Sequence, residues 1–152
     1  MEIGYLADHL DAIPLLAEHC HREWSYLVPG RTLQDVAESM HERAVRNRMP
    51  LALVAYDGTE ILGTVYLTLH DMDTRTDLNP WLAGLYVIQA RRNQGVGSRL
   101  VTALEDKARE LKLAKLYLYT PSAQVFYAKL GWEIREEADY HGYLVTIMEK
   151  ML

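Results

Sequence analysis

The chain has 152 residues, 49% of them hydrophobic and 24% charged, which excludes intrinsic disorder and sets one domain with a real core as the expectation for residues 1–152. Its 16 Lys and Arg against 21 Asp and Glu leave a formal net charge of −5, which argues against a nucleic acid or an anionic membrane as partner. The start, Met1 to Tyr5, has no basic n-region or apolar h-region, and no apolar run nears about 18 residues, so a cytoplasmic protein without a membrane span is expected.

Residues 2–7 read as a short strand. Asp8 is placed to cap a helix over about residues 9–24, in which Ile13, Leu16, Ala17 and Cys20 recur at helical spacing. Cys20 is the only cysteine, so no intrachain disulfide forms and a core role is expected for it. Pro29-Gly30 breaks the chain, and Thr32 caps a second helix to about Arg48. The period then changes. Leu51 to Tyr56 and Ile61 to Leu69 read as a hairpin around Asp57-Gly58. A polar stretch over 70–80 leads to Trp81 to Ile88, whose near-continuous apolar run fits a strand buried on both faces. A glycine-bearing loop over 91–98 feeds a helix from about Gly97 to Leu111. Leu116 to Tyr119 is a short strand, Pro121 opens a helix to about Leu130, and Gly131 stops it. Strands near 132–137 and 143–149 flank the turn Tyr140-His141-Gly142. The order β-α-α-β-β-β-α-β-α-β-β gives a mixed α/β fold with a mostly antiparallel sheet flanked by helices.

Chemistry concentrates where strand, loop and helix follow one another between Trp81 and Leu111. The loop reads Arg92-Asn93-Gln94-Gly95-Val96-Gly97-Ser98. A helix N-terminus leaves N–H groups unpaired and carries partial positive charge, so it favours anions. Glycines let the backbone approach a phosphate without a Cβ in the way. Arg91, Arg92 and Arg99 add cations, and together these point to a diphosphate site; the plain alternative is a glycine helix entry with solvated arginines. A Rossmann fingerprint is excluded, because Gly95 and Gly97 have no third glycine three residues on. A phosphate-binding P-loop is excluded because no lysine follows a glycine at the required spacing.

These residues resemble the GNAT superfamily of acyl-CoA N-acyltransferases. Its Q/R-x-x-G-x-G/A signature is matched by Arg92 through Gly97. Leu85-Tyr86-Val87 looks like its central strand, and Ala123 through Trp132 looks like its A-x-x-F-Y-x-K-x-G-F/W helix and turn. The resemblance covers essentially the whole chain. It implies a single GNAT-like domain with acetyl-CoA as cosubstrate and no metal. Backbone groups of Leu85, Tyr86 and Val87 would hold the pantetheine arm. The segment Arg92, Asn93, Gln94, Gly95, Val96, Gly97 and Ser98 would take the pyrophosphate. Where the family often has Asn, three residues before Ala123, this chain has Thr120.

By the same resemblance Tyr127 is the acid that protonates the leaving thiolate, and attack of a primary amine on the thioester is direct. A phenol of pKa about 10 can donate in this way. The base stays open. A lysine-like amine is only about one part in 2,500 neutral at pH 7, and Trp81-Leu82-Ala83-Gly84 offers no carboxylate. His70, Asp71, Asp73 and Asp77 precede this strand and are the candidates, against the reading of a solvated polar loop. Asp71 and Asp73 are expected to attract a cationic acceptor, and Trp24 and Glu23 to wall its pocket. The run Asp71-x-Asp73-x-Arg75-x-Asp77 departs from a calcium loop at Arg75, Thr76 and Leu82. His19 and His21 lie on opposite sides of a helix and form no metal pair. The expected acceptor is a small-molecule or peptide amine, and the protein a monomer or homodimer. The alternative is an acyl-CoA-binding regulatory or partner-docking module with little or no catalysis.

Overall fold

The computed structural model describes residues 1–152. Seven strands form one sheet: β1 (Glu2–Tyr5), β2 (Leu51–Asp57), β3 (Glu60–Thr68), β4 (Trp81–Val87), β5 (Lys115–Thr120), β6 (Glu133–Tyr140) and β7 (Tyr143–Met151). Four helices join them: α1 (Ile13–Trp24), α2 (Leu33–Glu42), α3 (Val96–Glu110) and α4 (Gln124–Lys129). The strand order is β1-β2-β3-β4-β5-β7-β6. Every neighbouring pair is antiparallel except β4 with β5. No helix is long and apolar enough to cross a membrane.

Helices cover both faces, which is why the central strands are apolar at successive positions. On β2, Leu51, Leu53 and Ala55 face a core shared with Leu100, Val101 and Leu104 of α3. Their neighbours Ala52 and Val54 face a second core with Ile13 and Leu16 of α1 and Met40 of α2. A third, smaller core gathers Trp81, Tyr140 and Ile147 where β4 meets the last hairpin.

Three helix boundaries differ from the sequence reading. Helix α1 starts at Ile13, after two 3-10 turns over Leu6–Asp8 and Leu10–Ala12, and Pro14 occupies its first turn. Asp8 caps nothing and instead pairs with Arg46. Helix α2 has the cap expected of Thr32, which Asp35 completes as a capping box, but it ends at Glu42 rather than near Arg48. There the Arg43 carbonyl accepts from Ala52 N–H at 2.9 Å, so β2 draws the chain back into the sheet. Helix α4 starts at Gln124, because the Thr120 hydroxyl oxygen accepts the N–H groups of Ser122 and Ala123 at 3.3 and 2.9 Å and holds them in a turn.

One irregularity organises the rest of the molecule. Thr64 pairs with Tyr86 and Tyr66 with Ala83, so β4 carries an extra residue in a bulge at Gly84-Leu85. Gly84 has φ +58°, and a Cβ there would lie 2.1 Å from Cε2 of the Tyr66 ring. Only glycine satisfies both the turn of the backbone and the ring beneath it. Strand β4 pairs with β5 only at Trp81 and Tyr117. Beyond that pair the strands part, and a cleft opens between Gly84 and Leu85 on one side and Tyr119 and Thr120 on the other.

Candidate active site

Two clefts lie along this fork. The shallower lies between the N-terminus of α3 and Phe126 of α4, and Val87, Arg92, Gly95 and Gly97 help to line it. Gly95 caps α3 at φ +83°, with no side-chain cap on the helix. The backbone N–H groups from Asn93 through Ser98 donate to no protein acceptor, which leaves six donors free. A Cβ at Gly97 would lie 3.3 Å from Phe126 Cζ, so any longer side chain would fill the gap between loop and helix. These features make an anion cradle built from the main chain.

The side chains of the predicted donor site divide by role. Leu85 lines the deeper cleft and Val87 the shallower one. Between them, the Tyr86 ring turns to the opposite face of the sheet, where its hydroxyl sits 3.1 Å from His19 Nδ1. Val96 is buried in the core, so only its backbone can reach a ligand. Arg92 folds back, with Nε donating to the Val87 carbonyl at 2.9 Å and its guanidinium 5.3 Å from the Tyr86 ring centre. Arg91 is held by Glu60 through hydrogen bonds of 2.7 and 2.8 Å. Asn93 and Gln94 are exposed, and Ser98 is half-buried beside Gly97 at the cleft wall.

The deeper cleft, about 280 Å³, is walled by α1, the segment 25–31, the α2 C-terminus and the two parted strands. Tyr127 of α4 lines it from below. Its ring packs edge-on to Phe126 and Trp132, while its hydroxyl makes no hydrogen bond. Burial, with the Asp71 carboxylate second, pushes that hydroxyl well above the usual phenol range. It therefore stays protonated at neutral pH and can serve as a proton donor, not as a base. Tyr119 is pushed up by the same causes.

Asp71 lies in the same cleft with no hydrogen-bond partner. Burial raises its carboxyl to about 6, against the pull of Arg43 and Arg31, which lower it. Trp24 and Glu23 also line this cleft, so α1 supplies the wall expected of it. Asp73 does not line it. Its carboxylate is 3.0 Å from His141 Nε2, and its N–H donates to the Tyr140 hydroxyl at 3.4 Å, which turns it outward to the β6–β7 hairpin. The expectation that Asp71 and Asp73 face one acceptor thus fails for Asp73. Asp77 is taken by Arg75 in a two-pronged pair at 3.0 Å, and His70 is exposed.

Cys20 lines the cleft as a thiol that burial pushes up to about 11, so it is no thiolate nucleophile at neutral pH. No group of three or more His, Cys, Asp or Glu side chains stands close enough to hold a metal ion. Two residues that the sequence reading passed over also line the cleft, Arg31 and Arg43. The only trace of either was its nearness to a helix end.

The sheet is thus forked and mostly antiparallel, with an anion cradle at the helix that follows its fourth strand. The model of the acetyltransferase (GNAT) family matches residues 14–132, and the chain belongs to that family. Among solved structures it is similar to an aminoglycoside 6'-acetyltransferase type Ii, at 22% identity and a TM-score of 0.76 over 99% of this chain and 97% of that one. An aminoglycoside 6'-N-acetyltransferase complexed with coenzyme A matches at 20% identity and TM-score 0.73, again over 99% and 97%. A ribosomal-protein-alanine N-acetyltransferase from Brucella melitensis matches at 18% identity and TM-score 0.74 over the whole of both chains. At these identities the likeness is one of fold. No curated protein matches the chain in sequence.

Proposed function

We propose that the chain is an acetyl-CoA-dependent N-acetyltransferase acting on a primary amine by direct attack. The observation that carries this is the Tyr127 hydroxyl, protonated and unpartnered, in the same cleft as the unpartnered Asp71 carboxylate. Family membership and a fold neighbour complexed with coenzyme A support the donor. The pyrophosphate takes the free amides of Gln94 through Ser98. The pantetheine arm runs along Leu85, Tyr86 and Val87 into the fork, which places the thioester beside Tyr127.

The amine nitrogen attacks the thioester carbon, forming C–N as C–S breaks. The amine's proton passes to Asp71, whose carboxyl near 6 is mostly ionised at pH 7. The departing sulfur takes the Tyr127 proton. The products are the acetamide and coenzyme A thiol, and no acyl-enzyme forms because the cleft offers no activated Ser or Cys. The test is thiol release with acetyl-CoA and a panel of amines, beside thermal unfolding. Acetyl-CoA at 100 times Kd should add about 2.7 kcal/mol of stability. Stabilisation without thiol release from any amine would favour a binding module instead.

A further inference from the structure

The acceptor end of the deeper cleft contains two cations with no carboxylate in direct contact, although both are near enough to Asp71 to pull its carboxyl down. Arg43 extends from the end of α2, half-buried, with its guanidinium 4.5 Å from the Tyr66 ring centre and no carboxylate paired to it. Arg31, also half-buried, donates to the Ser39 hydroxyl at 3.0 Å and likewise has no carboxylate partner. Both line the same cleft as Asp71. Elsewhere in the chain arginines pair readily: Arg46 with Asp8, Arg75 with Asp77 and Glu136, Arg91 with Glu60. Desolvating a cation without a counter-charge is costly, and a guanidinium fork matches a carboxylate in two parallel hydrogen bonds.

We infer that the acceptor is an amine that also bears a carboxylate, an amino acid, with its carboxylate held by Arg43 and Arg31 and its amino group directed to Asp71 and the thioester. This inference rests on the acetyltransferase reading above and narrows its substrate. One zwitterion suits this end: its anion meets Arg31 and Arg43 and its cation meets Asp71, while Glu23, the other carboxylate lining the cleft, is exposed. A polycation would instead bring its extra charges against Arg31 and Arg43. Of the two carboxylates expected to attract a cationic acceptor, Asp71 lines the cleft and Asp73 is paired with His141 outside it.

The experiment is acetyl transfer to a mixture of the twenty proteinogenic amino acids and, separately, to the same twenty as carboxamides. Spermidine and kanamycin serve as polycationic controls, and products are read by mass spectrometry. The free acid of the preferred residue should exceed its amide by at least tenfold in kcat/KM. Arg43→Gln should bring the two to within about threefold of each other, with acetyl-CoA affinity unchanged. Arg43→Lys should keep part of the preference, and Arg31→Gln should repeat the loss if the first variant folds poorly. Amides or polycations acetylated as well as the free acids would overturn the inference and leave the acetyltransferase reading standing. No acetylated product from any of these amines would overturn both.

Discussion

The two ends of the β4–β5 fork are built from different material. The anion cradle is one continuous segment, Asn93 through Ser98, whose main-chain N–H groups have no protein acceptor. The acceptor end is an assembly of side chains from distant parts of the chain: Arg31, Arg43, Asp71 and Tyr127. The first needs little more than glycines and a helix start, and on the proposed reading it would bind a feature that every coenzyme A ester shares. The second depends on charge and burial at each position, and on the proposed reading specificity for the amine would reside there. A main-chain site tolerates drift in most of its side chains, and a side-chain site does not.

Substitutions at the two ends should break the molecule differently. The largest effect is expected at the cradle: Gly97→Asp puts a carboxylate between Phe126 and the diphosphate, and calorimetry should show acetyl-CoA affinity falling more than 100-fold, about 2.7 kcal/mol or more. Unchanged affinity would remove the loop from the donor site. An effect of similar size, on stability rather than binding, is expected at the bulge that opens the fork. Gly84→Ala forces a β-carbon at φ +58° against the Tyr66 ring, and denaturant unfolding should show a loss of about 2–5 kcal/mol. A stable variant with normal kinetics would show that the fork does not depend on this bulge.

The smallest effect, with two opposite signs, is expected at the carboxylates. Asp71→Asn should lower kcat/KM for the amine about tenfold and abolish any rise in rate centred near pH 6. It should also raise stability. The folded-state carboxyl near 6 lies above its unfolded value of about 3.9, so its contribution is full below pH 4 and is lost as pH rises through 6. At pH 8 the variant should therefore unfold later, by about 1–2 kcal/mol, with no difference at pH 3.5. Asp73→Asn, paired with His141 outside the cleft, should leave amine KM unchanged. Equal kinetic losses at both positions would erase the distinction between them.

The same division explains what the sequence revealed. Strand periods, the Thr32 cap, the His141-Gly142 turn and the glycine loop are local, and each was legible because its cause lies within a few residues. Helix α1 was placed too early because Asp8 is a good cap by composition, but its partner is Arg46, 38 residues on. The acidic loop was legible as a charge cluster yet not in its orientation. Asp71 and Asp73 differ only in that Tyr140 and His141, contributed by the last hairpin, turn the second one away. Arg31 and Arg43 left no signal, because an arginine near a helix end is ordinary until the cleft in front of it is known.

On the proposed mechanism the leaving sulfur takes its proton from the Tyr127 hydroxyl. The most direct measurement is the single-turnover rate of acetyl transfer by Tyr127→Phe, taken with acetyl-CoA affinity and melting temperature on the same protein. Phenylalanine keeps the ring that packs on Phe126 and Trp132 and removes only an oxygen that makes no hydrogen bond. The rate should fall about 10²-fold, with affinity changed by less than about threefold and melting temperature almost unmoved. A wild-type rate in a folded, acetyl-CoA-binding variant would contradict the claim and leave Tyr127 as packing.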